Sequence, residues 1–208
     1  MSRRYHMLRL AGALAFAAAL SCARAPLERI CPELQAGDLV VTEIRGKQAD
    51  VDTYGEWIEL YNATDETIAL GGISVDLFKL DGSGDFHFIV RDADVEIPPR
   101  GYAVLAGAVA ADKSFTSYAY DGDEHGSLYA GAFIEVYSCE REIDSMLYRA
   151  LPDLGTLNLD GAAEPDAEEN NSTDDPIWCT DTTPADPNEP QIELGIRGTP
   201  GEANRPCP

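Results

Sequence analysis

Few side chains in this sequence are suited to chemistry, apart from carboxylates. With 37 Asp and Glu residues, neighbouring carboxylates arise by chance and do not indicate an acid–base pair. Histidine is scarcer: His6 precedes an apolar run, His87 alternates with Phe86 and Phe88, and His125 lies in a polar DEHG stretch. The motifs of serine hydrolases, zinc proteases and phosphate-binding loops do not occur in the sequence. We therefore expect a protein that is not an enzyme; the alternative is a hydrolase or nuclease accessory with an unrecognised site.

Two segments alternate aromatic and acidic residues: Trp57, Glu59 and Tyr61, and then Phe133, Glu135 and Tyr137. On a strand, each such row points to one face of a sheet. Aromatic faces stack on sugar rings and carboxylates accept hydrogen bonds from sugar hydroxyls, so these rows could form a sugar-binding platform. The alternative is a cross-strand ladder that only covers the sheet. The intervening residues suit the core: Ile58, Leu60, Ile134 and Val136.

Calcium is the cofactor that the acidic loops suggest. Asp81, Ser83 and Asp85 have the odd-position oxygen spacing of a calcium loop, but Phe86 stands where a sharp turn needs glycine, and Asp92 stands where a bidentate glutamate is usual. A hairpin turn explains the DGSG glycines better. The 121–124 stretch and the 160–190 segment remain candidates for weak calcium binding. We expect no other cofactor and no specific metal site.

The N-terminus has the pattern of an export signal. Arg3, Arg4 and Arg9 precede an apolar run over 10–20, which is too short to span a membrane. The run ends in ALSC, which resembles a bacterial lipobox, so we predict a signal peptide over 1–21 and lipidation of Cys22. The alternative is secretion after cleavage behind Ala25. The expected location is the bacterial cell envelope, with lipid anchoring in the outer membrane, or the medium if the protein is secreted.

Charge limits the expected partners. The net charge is −22, and without residues 1–21 the chain keeps 12 basic and 37 acidic residues, a net charge of −25. Such a surface repels nucleic acid, whose phosphates require basic contacts. We expect a membrane contact through the lipid anchor and an unknown protein or glycan partner, but no nucleic acid.

Short β-branched and aromatic segments separated by Gly, Pro, Asn and Asp predict an all-β sandwich. The predicted strands cover 38–44, 56–62, 67–70, 73–80, 86–90, 102–106, 132–138 and 143–148. A tether over 22–36 precedes one domain over 37–208. We interpret 107–131 as a loop. Residues 160–190, which contain ten acidic residues, five prolines and no Lys or Arg, form an arm without a core of its own.

Cysteine usage agrees with export. If Cys22 carries lipid, four cysteines remain and can form two disulfides in three ways. The sequence has no CxxC pair, so neither a zinc knuckle nor a thioredoxin-type motif is supported. The ends of a sandwich are often close together, so we pair Cys31 with Cys207. We pair Cys139, at the end of a strand, with Cys179, which would anchor the arm.

Several phrases, in this order, resemble the lamin-tail domain, an immunoglobulin-like β-sandwich found in nuclear lamins and in bacterial exported proteins. They are DLVVTEI over 38–44, GEWIELYN over 55–62, LGG over 70–72, PPRGYAVL over 98–105 and IDSMLY over 143–148. LNLD over 157–160, DDPIWC over 174–179 and GTPGEAN over 198–204 resemble the closing pattern of bacterial members. The resemblance implies an immunoglobulin-like fold and display of a non-catalytic interaction or adhesion module. It supplies no catalytic residue.

Overall fold

The structure is a computed structural model, and it describes residues 29–49, 54–84, 86–120, 127–174, 176–184 and 196–208. Regular structure in these ranges is almost entirely β. The strands are β1 (Leu39–Arg45), β2 (Trp57–Asn62), β3 (Ile68–Ala69), β4 (Ile73–Lys79), β5 (Phe86–Ile89), β6 (Glu96–Ile97), β7 (Tyr102–Ala106), β8 (Thr116–Ala119), β9 (Ala132–Ser138), β10 (Arg141–Tyr148), β11 (Thr156–Leu159) and β12 (Trp178–Asp181). One turn of 3-10 helix spans Ala108–Ala110. The described ranges contain no helix with the length and apolar character of a membrane span.

Two larger sheets form a sandwich. One has six strands in the order β12-β11-β1-β2-β7-β8, and the other has four in the order β10-β9-β4-β5. Neighbouring strands are antiparallel except β7 and β8, which run parallel. A small sheet pairs β3 with β6. This arrangement confirms the prediction of an all-β sandwich.

The core lies between the two sheets, and alternation along the strands determines which side chains enter it. Ile58 and Leu60 of β2 pack in one hydrophobic cluster with Val75 of β4 and with Ile134 and Val136 of β9, and all five are fully buried. The predicted core positions on β2 and β9 are therefore confirmed.

Local chemistry explains the hairpin between β4 and β5. The backbone N–H of Ser83 donates to Asp81 Oδ1 at 2.9 Å, and Gly82 adopts a left-handed φ of 77°. The hydrogen bonds from Ser83 lower the pKa of Asp81. The DGSG stretch is thus the predicted turn. Asp85, the third oxygen ligand considered for calcium, lies outside the described residues.

Two predicted irregular segments contain strands. Strand β8 lies within the predicted 107–131 loop, and β12 lies within the predicted arm.

The arm is held by a buried acid, because Asp144 Oδ2 accepts hydrogen bonds from Val41 N and from Asn170 Nδ2, both at 2.7 Å. The indole N–H of Trp178 donates to Asn170 O at 3.1 Å. Burial raises the pKa of Asp144 to about 6, despite these hydrogen bonds.

The predicted disulfide pairing is wrong, although all four cysteines do form disulfides. The bonds are Cys31–Cys139 and Cys179–Cys207, with Cα–Cα distances of 5.5 and 5.8 Å. Each bond belongs to a different sheet. Ser138 Oγ donates to Pro32 O at 2.5 Å, which places the N-terminal segment at the β9–β10 turn.

The other end of the chain returns beside β12. The backbone N–H of Cys207 donates to Asp160 Oδ1 at 2.8 Å, and Gly161 N donates to Arg205 O at 3.2 Å. The two ends of the described chain therefore contact different sheets. The assumption that they meet caused the wrong pairing.

Candidate ligand-binding face

The outer face of the four-stranded sheet carries a continuous row of ionisable side chains. Strand register places His87 of β5 opposite Asp76 of β4, and Asp76 opposite Glu135 of β9. Side chains directly opposite each other on one face lie about 5 Å apart at Cβ. The row therefore crosses three strands and places an imidazole and two carboxylates side by side.

Aromatic rings flank this row. Phe133 lies opposite Phe78 and is 39% exposed, which is high for a large apolar side chain on a sheet. Tyr137 lies on the other side of Glu135, and its hydroxyl donates to Glu135 Oε2 at 2.8 Å. Burial first, and then this hydrogen bond, raise the pKa of Tyr137 to about 12. The tyrosine is therefore a neutral donor at physiological pH.

His87 is oriented by its neighbour. Its Nδ1 hydrogen-bonds with Asp76 Oδ1, and the two side chains are 44% and 20% exposed. Since Nδ1 is engaged, Nε2 is the ring nitrogen left for a ligand. The prediction that His87 lies on a sheet face is confirmed, because its sequence neighbours Phe86 and Phe88 point into the core.

A cleft of about 590 Å³ adjoins the same face, and this volume is typical of small-ligand pockets. Ser74, His87 and Ile89 belong both to the cleft and to the outer face of the sheet. The remaining lining residues are Arg29, Ile30, Gly72, Val90, Arg91 and Cys139. A strongly acidic protein thus presents two arginines beside its aromatic face.

The other aromatic–carboxylate row is buried. Trp57, Glu59 and Tyr61 on β2 are all less than 4% exposed, so they cannot form a sugar-binding platform. Trp57 packs in a second hydrophobic cluster whose other members are Val104, Ala106, Ala110, Phe115 and Ile196. Two segments far apart in the sequence, around 108–115 and 196–204, provide this cover. We call residues 196–204 the closing segment.

The closing segment contacts two adjacent buried glutamates. Glu43 lies opposite Glu59 across the β1–β2 pair, and both are fully buried. Glu43 accepts hydrogen bonds from Trp57 Nε1 at 3.0 Å and from Thr199 N at 2.9 Å. Glu59 accepts from Thr42 Oγ1 at 2.8 Å and from Gly201 N at 2.7 Å. Sequence reasoning missed this pair, because the alternation of β2 gave no sign that its polar face is covered.

The glutamate pair anchors the chain to itself and does not resemble an open cation site. Each of its four carboxylate oxygens accepts a hydrogen bond from a protein group. Within the described ranges, no group of three acidic, His or Cys residues has an arrangement that could hold a metal ion. Cys22, His125 and the 121–124 stretch lie outside the described residues.

No protein-family model matches the chain, and no curated protein matches it.

Proposed function

We propose that this protein is a non-catalytic module of the bacterial cell envelope that binds a glycan on the outer face of its four-stranded sheet. The observation that carries the proposal is the partly exposed row of Phe133, Glu135 and Tyr137. Its rings offer surfaces for stacking on a sugar, and Glu135, Asp76 and His87 offer polar partners for hydroxyl groups. The adjoining cleft gives the ligand room to continue beyond the row.

Export and membrane attachment are the second part of the proposal. Two disulfides are typical of proteins that fold in an oxidising compartment. The basic and apolar N-terminus and the lipobox-like ALSC support lipidation of Cys22, and the ordered phrases over 38–204 support a lamin-tail-like, immunoglobulin-like module. The outer membrane is the proposed location, since Ala23 follows the cysteine.

Glycan binding is tested by screening the purified protein against a glycan array and titrating any ligand found. Phe133→Ala should weaken binding at least about tenfold, equivalent to about 1.4 kcal/mol. Leu154→Ala is a matched control, because Leu154 is 37% exposed and lies outside the candidate face. Binding that is unchanged in Phe133→Ala, or no binding to any glycan, would contradict the proposal.

Lipidation is tested separately by labelling cells with a fatty-acid analogue. The wild-type protein should take up the label, and Cys22→Ala should not. Cys31→Ala controls for the loss of a cysteine that we place in a disulfide. A mature N-terminus at Pro26 would instead show secretion after ordinary signal-peptide cleavage.

A further inference from the structure

The hydrogen bonds of the buried glutamate pair indicate which glutamate ionises first. Glu43 Oε1 faces the indole N–H of Trp57, and Glu43 Oε2 faces the backbone N–H of Thr199. Both groups can only donate. Thr199 Oγ1 also lies 3.2 Å from Glu43 Oε2, but that oxygen already accepts from Thr199 N. A proton on either oxygen of Glu43 would therefore compete with a group that can only donate, and it would cost a hydrogen bond. The contacts therefore favour Glu43 as the carboxylate of the pair.

Glu59 has a different environment. Its Oε2 accepts from the backbone N–H of Gly201, but its Oε1 lies 2.8 Å from the hydroxyl of Thr42. A hydroxyl can accept as well as donate. Neutral Glu59 can thus donate from Oε1 to Thr42 and still accept from Gly201 at Oε2. Every hydrogen bond of the pair is then satisfied with only one negative charge in the interior.

Burial makes a second charge costly. It raises the pKa of Glu43 to about 7, although hydrogen bonds from Thr199 and Trp57 oppose the rise. Burial, and after it the charge of Glu43, raise the pKa of Glu59 well above its usual value. The two carboxyl groups lie opposite each other on adjacent strands, where like charges repel.

Two other titratable groups among the described residues interact with the pair: Glu202 of the closing segment acts on Glu59, and burial, followed by the charge of Glu59, raises the pKa of Tyr102 on β7. Glu202 raises the pKa of Glu59 further. The nearby cations have other partners. Arg205 pairs with Asp181 at 2.6 Å, and the Arg45 guanidinium lies 4.9 Å from the Trp57 ring.

The closing segment depends on these carboxyl groups. Besides the bonds from Thr199 and Gly201, Asn204 Nδ2 donates to Thr42 O at 2.9 Å, and Thr199 Oγ1 lies 2.9 Å from Asn204 Oδ1. Three of these four contacts involve the glutamates or Thr42 beside Glu43, and the fourth lies within the closing segment. A change in charge at the pair therefore acts directly on the segment that covers Trp57.

We propose that a proton held on Glu59 fastens the closing segment to the six-stranded sheet, and that loss of this proton as the pH rises loosens the segment. The folded protein keeps protons on these two carboxyl groups that the unfolded chain loses near pH 4.5, so a rise in pH favours the unfolded chain. Stability is greatest below that pH and falls as the pH rises above it; the fall becomes less steep once Glu43 has ionised, near pH 7, and ends when Glu59 has ionised as well. This inference is independent of the proposed ligand.

The test compares Glu59→Gln with wild-type protein by urea unfolding between pH 5 and pH 9. The amide can accept from Gly201 and donate to Thr42, so it mimics neutral Glu59 at every pH. The unfolding constant of the wild type should rise with pH at least about tenfold more than that of the variant, which corresponds to one unit of pKa. Glu135→Gln is the matched control: it is the same substitution in the same sequence pattern on the open face, and its pH profile should follow the wild type.

Equal pH profiles for Glu59→Gln and the wild type would overturn the proposal. Glu43→Gln provides the opposite contrast, because its amide must face Trp57 or Thr199 and should destabilise at every pH. If Glu59→Gln does not fold, carbon NMR of the glutamate carboxyl groups in the wild-type protein decides. One buried glutamate should remain neutral at pH 7, and titration of all glutamates near pH 4.5 would refute the inference.

Discussion

Strands β2 and β9 carry the same alternation of aromatic and acidic residues on opposite sides of the molecule, with opposite results. On β9, Phe133, Glu135 and Tyr137 remain partly exposed on the four-stranded sheet. On β2, the corresponding row of Trp57, Glu59 and Tyr61 is buried. Local sequence determines which face a side chain takes. Whether that face meets solvent depends on segments that are remote in sequence.

Burial changes the role of the central glutamate. Glu135 accepts a hydrogen bond from a tyrosine two residues away, within its own strand. Glu59 accepts one from Gly201, which is 142 residues away. The first contact orients two side chains on one surface, whereas the second joins β2 to the closing segment. The following substitutions test this difference, in order of decreasing effect.

Truncating the aromatic residue that begins each row should give the largest contrast. Trp57→Ala should lower the free energy of unfolding by roughly 3–5 kcal/mol, because it leaves a cavity against Phe115, whose ring centroid lies 5.2 Å away, and removes a donor to Glu43. Phe133→Ala should change it by no more than about 0.5–1 kcal/mol, because the ring is partly exposed. Urea unfolding followed by circular dichroism measures both. Similar losses would mean that the two rows are equally buried in solution.

Removal of the Cys179–Cys207 disulfide, which lies on the six-stranded sheet, should cause the next largest loss of stability. Replacing Cys179 and Cys207 together by Ser opens a bond between residues 28 apart in sequence, and we expect a loss of roughly 3–4 kcal/mol in the chain-entropy model. The location of the effect is the sharper readout. Hydrogen exchange should increase at the amides of Thr199 and Gly201, because these residues lie between Cys179 on β12 and Cys207 in the sequence.

Replacing Cys31 and Cys139 by Ser is the control for this experiment. That bond holds the N-terminal segment at the β9–β10 turn, so its loss should leave exchange in the closing segment close to that of the wild type when both are measured under strongly native conditions. Increased exchange in the closing segment of both double variants would contradict the assignment of one disulfide to each sheet.

A single methyl group added to the closing segment, as in Gly198→Ala, should cause an intermediate loss of stability. Gly198 has a left-handed φ of 97°, and a Cβ there would lie 2.7 Å from Thr156 Cγ2 and 2.9 Å from Glu43 Oε2. Gly82 in the β4–β5 hairpin has a φ of 77° and open space around it. Gly82→Ala should therefore cost only the left-handed conformation, about 1–2 kcal/mol. Gly198→Ala should cost roughly 1–3 kcal/mol more, because of overpacking.

Thermal unfolding of these two alanine variants separates the overpacking of the closing segment against Thr156 and Glu43 from backbone strain. An equal loss of stability in both variants would show that the closing segment can move away from Glu43 at little cost, which would contradict its tight attachment to the six-stranded sheet.

Much of the fold could be predicted from sequence, because the strands of the hydrophobic core carry their own signal. The alternation of Ile134 and Val136 with Phe133 and Glu135 predicts both the strand and its inner face. Strands β6, β8, β11 and β12 were missed because each has only two to four residues, which is too short for a clear alternation. No local pattern marks such a strand.

The site was only partly predictable, for a related reason. The β9 row was identified, but the β2 row has the same pattern, and nothing near it in sequence shows that Phe115 and Ile196 cover it. The disulfide pairing failed because it required knowing which sheet each end of the chain contacts. Both errors concern contacts between segments that are not adjacent in sequence; the disulfides, for example, join residues 28 apart for Cys179 and Cys207 and 108 apart for Cys31 and Cys139. Residue spacing does not encode such contacts.

The tyrosines that end the two rows give the smallest expected contrast. Tyr61 is almost fully buried, its ring centroid lies 5.0 Å from that of Tyr102, and its hydroxyl donates to Glu164 Oε1 at 2.8 Å, which joins β2 to the segment after β11. Tyr61→Phe removes this bond and the contact of the hydroxyl with Arg100, and it should cost roughly 0.5–1.5 kcal/mol. Tyr137→Phe removes a bond within one exposed strand and should cost no more than about 0.5 kcal/mol.

A double-mutant cycle separates the bond from other effects of the substitution. Glu164→Gln keeps an acceptor oxygen, so Tyr61→Phe is combined with Glu164→Ala, and the coupling energy should be about 0.5–1 kcal/mol. Since Arg100 also donates to Glu164, Glu164→Ala alone costs more than the tyrosine bond, and only the coupling term reports on Tyr61. The same cycle on Tyr137 and Glu135 should give a smaller coupling energy. If the two values are equal, a hydrogen bond on the covered face contributes no more than one on the open face, and the contrast between the rows is then confined to the packing of Trp57 and the charge of Glu59.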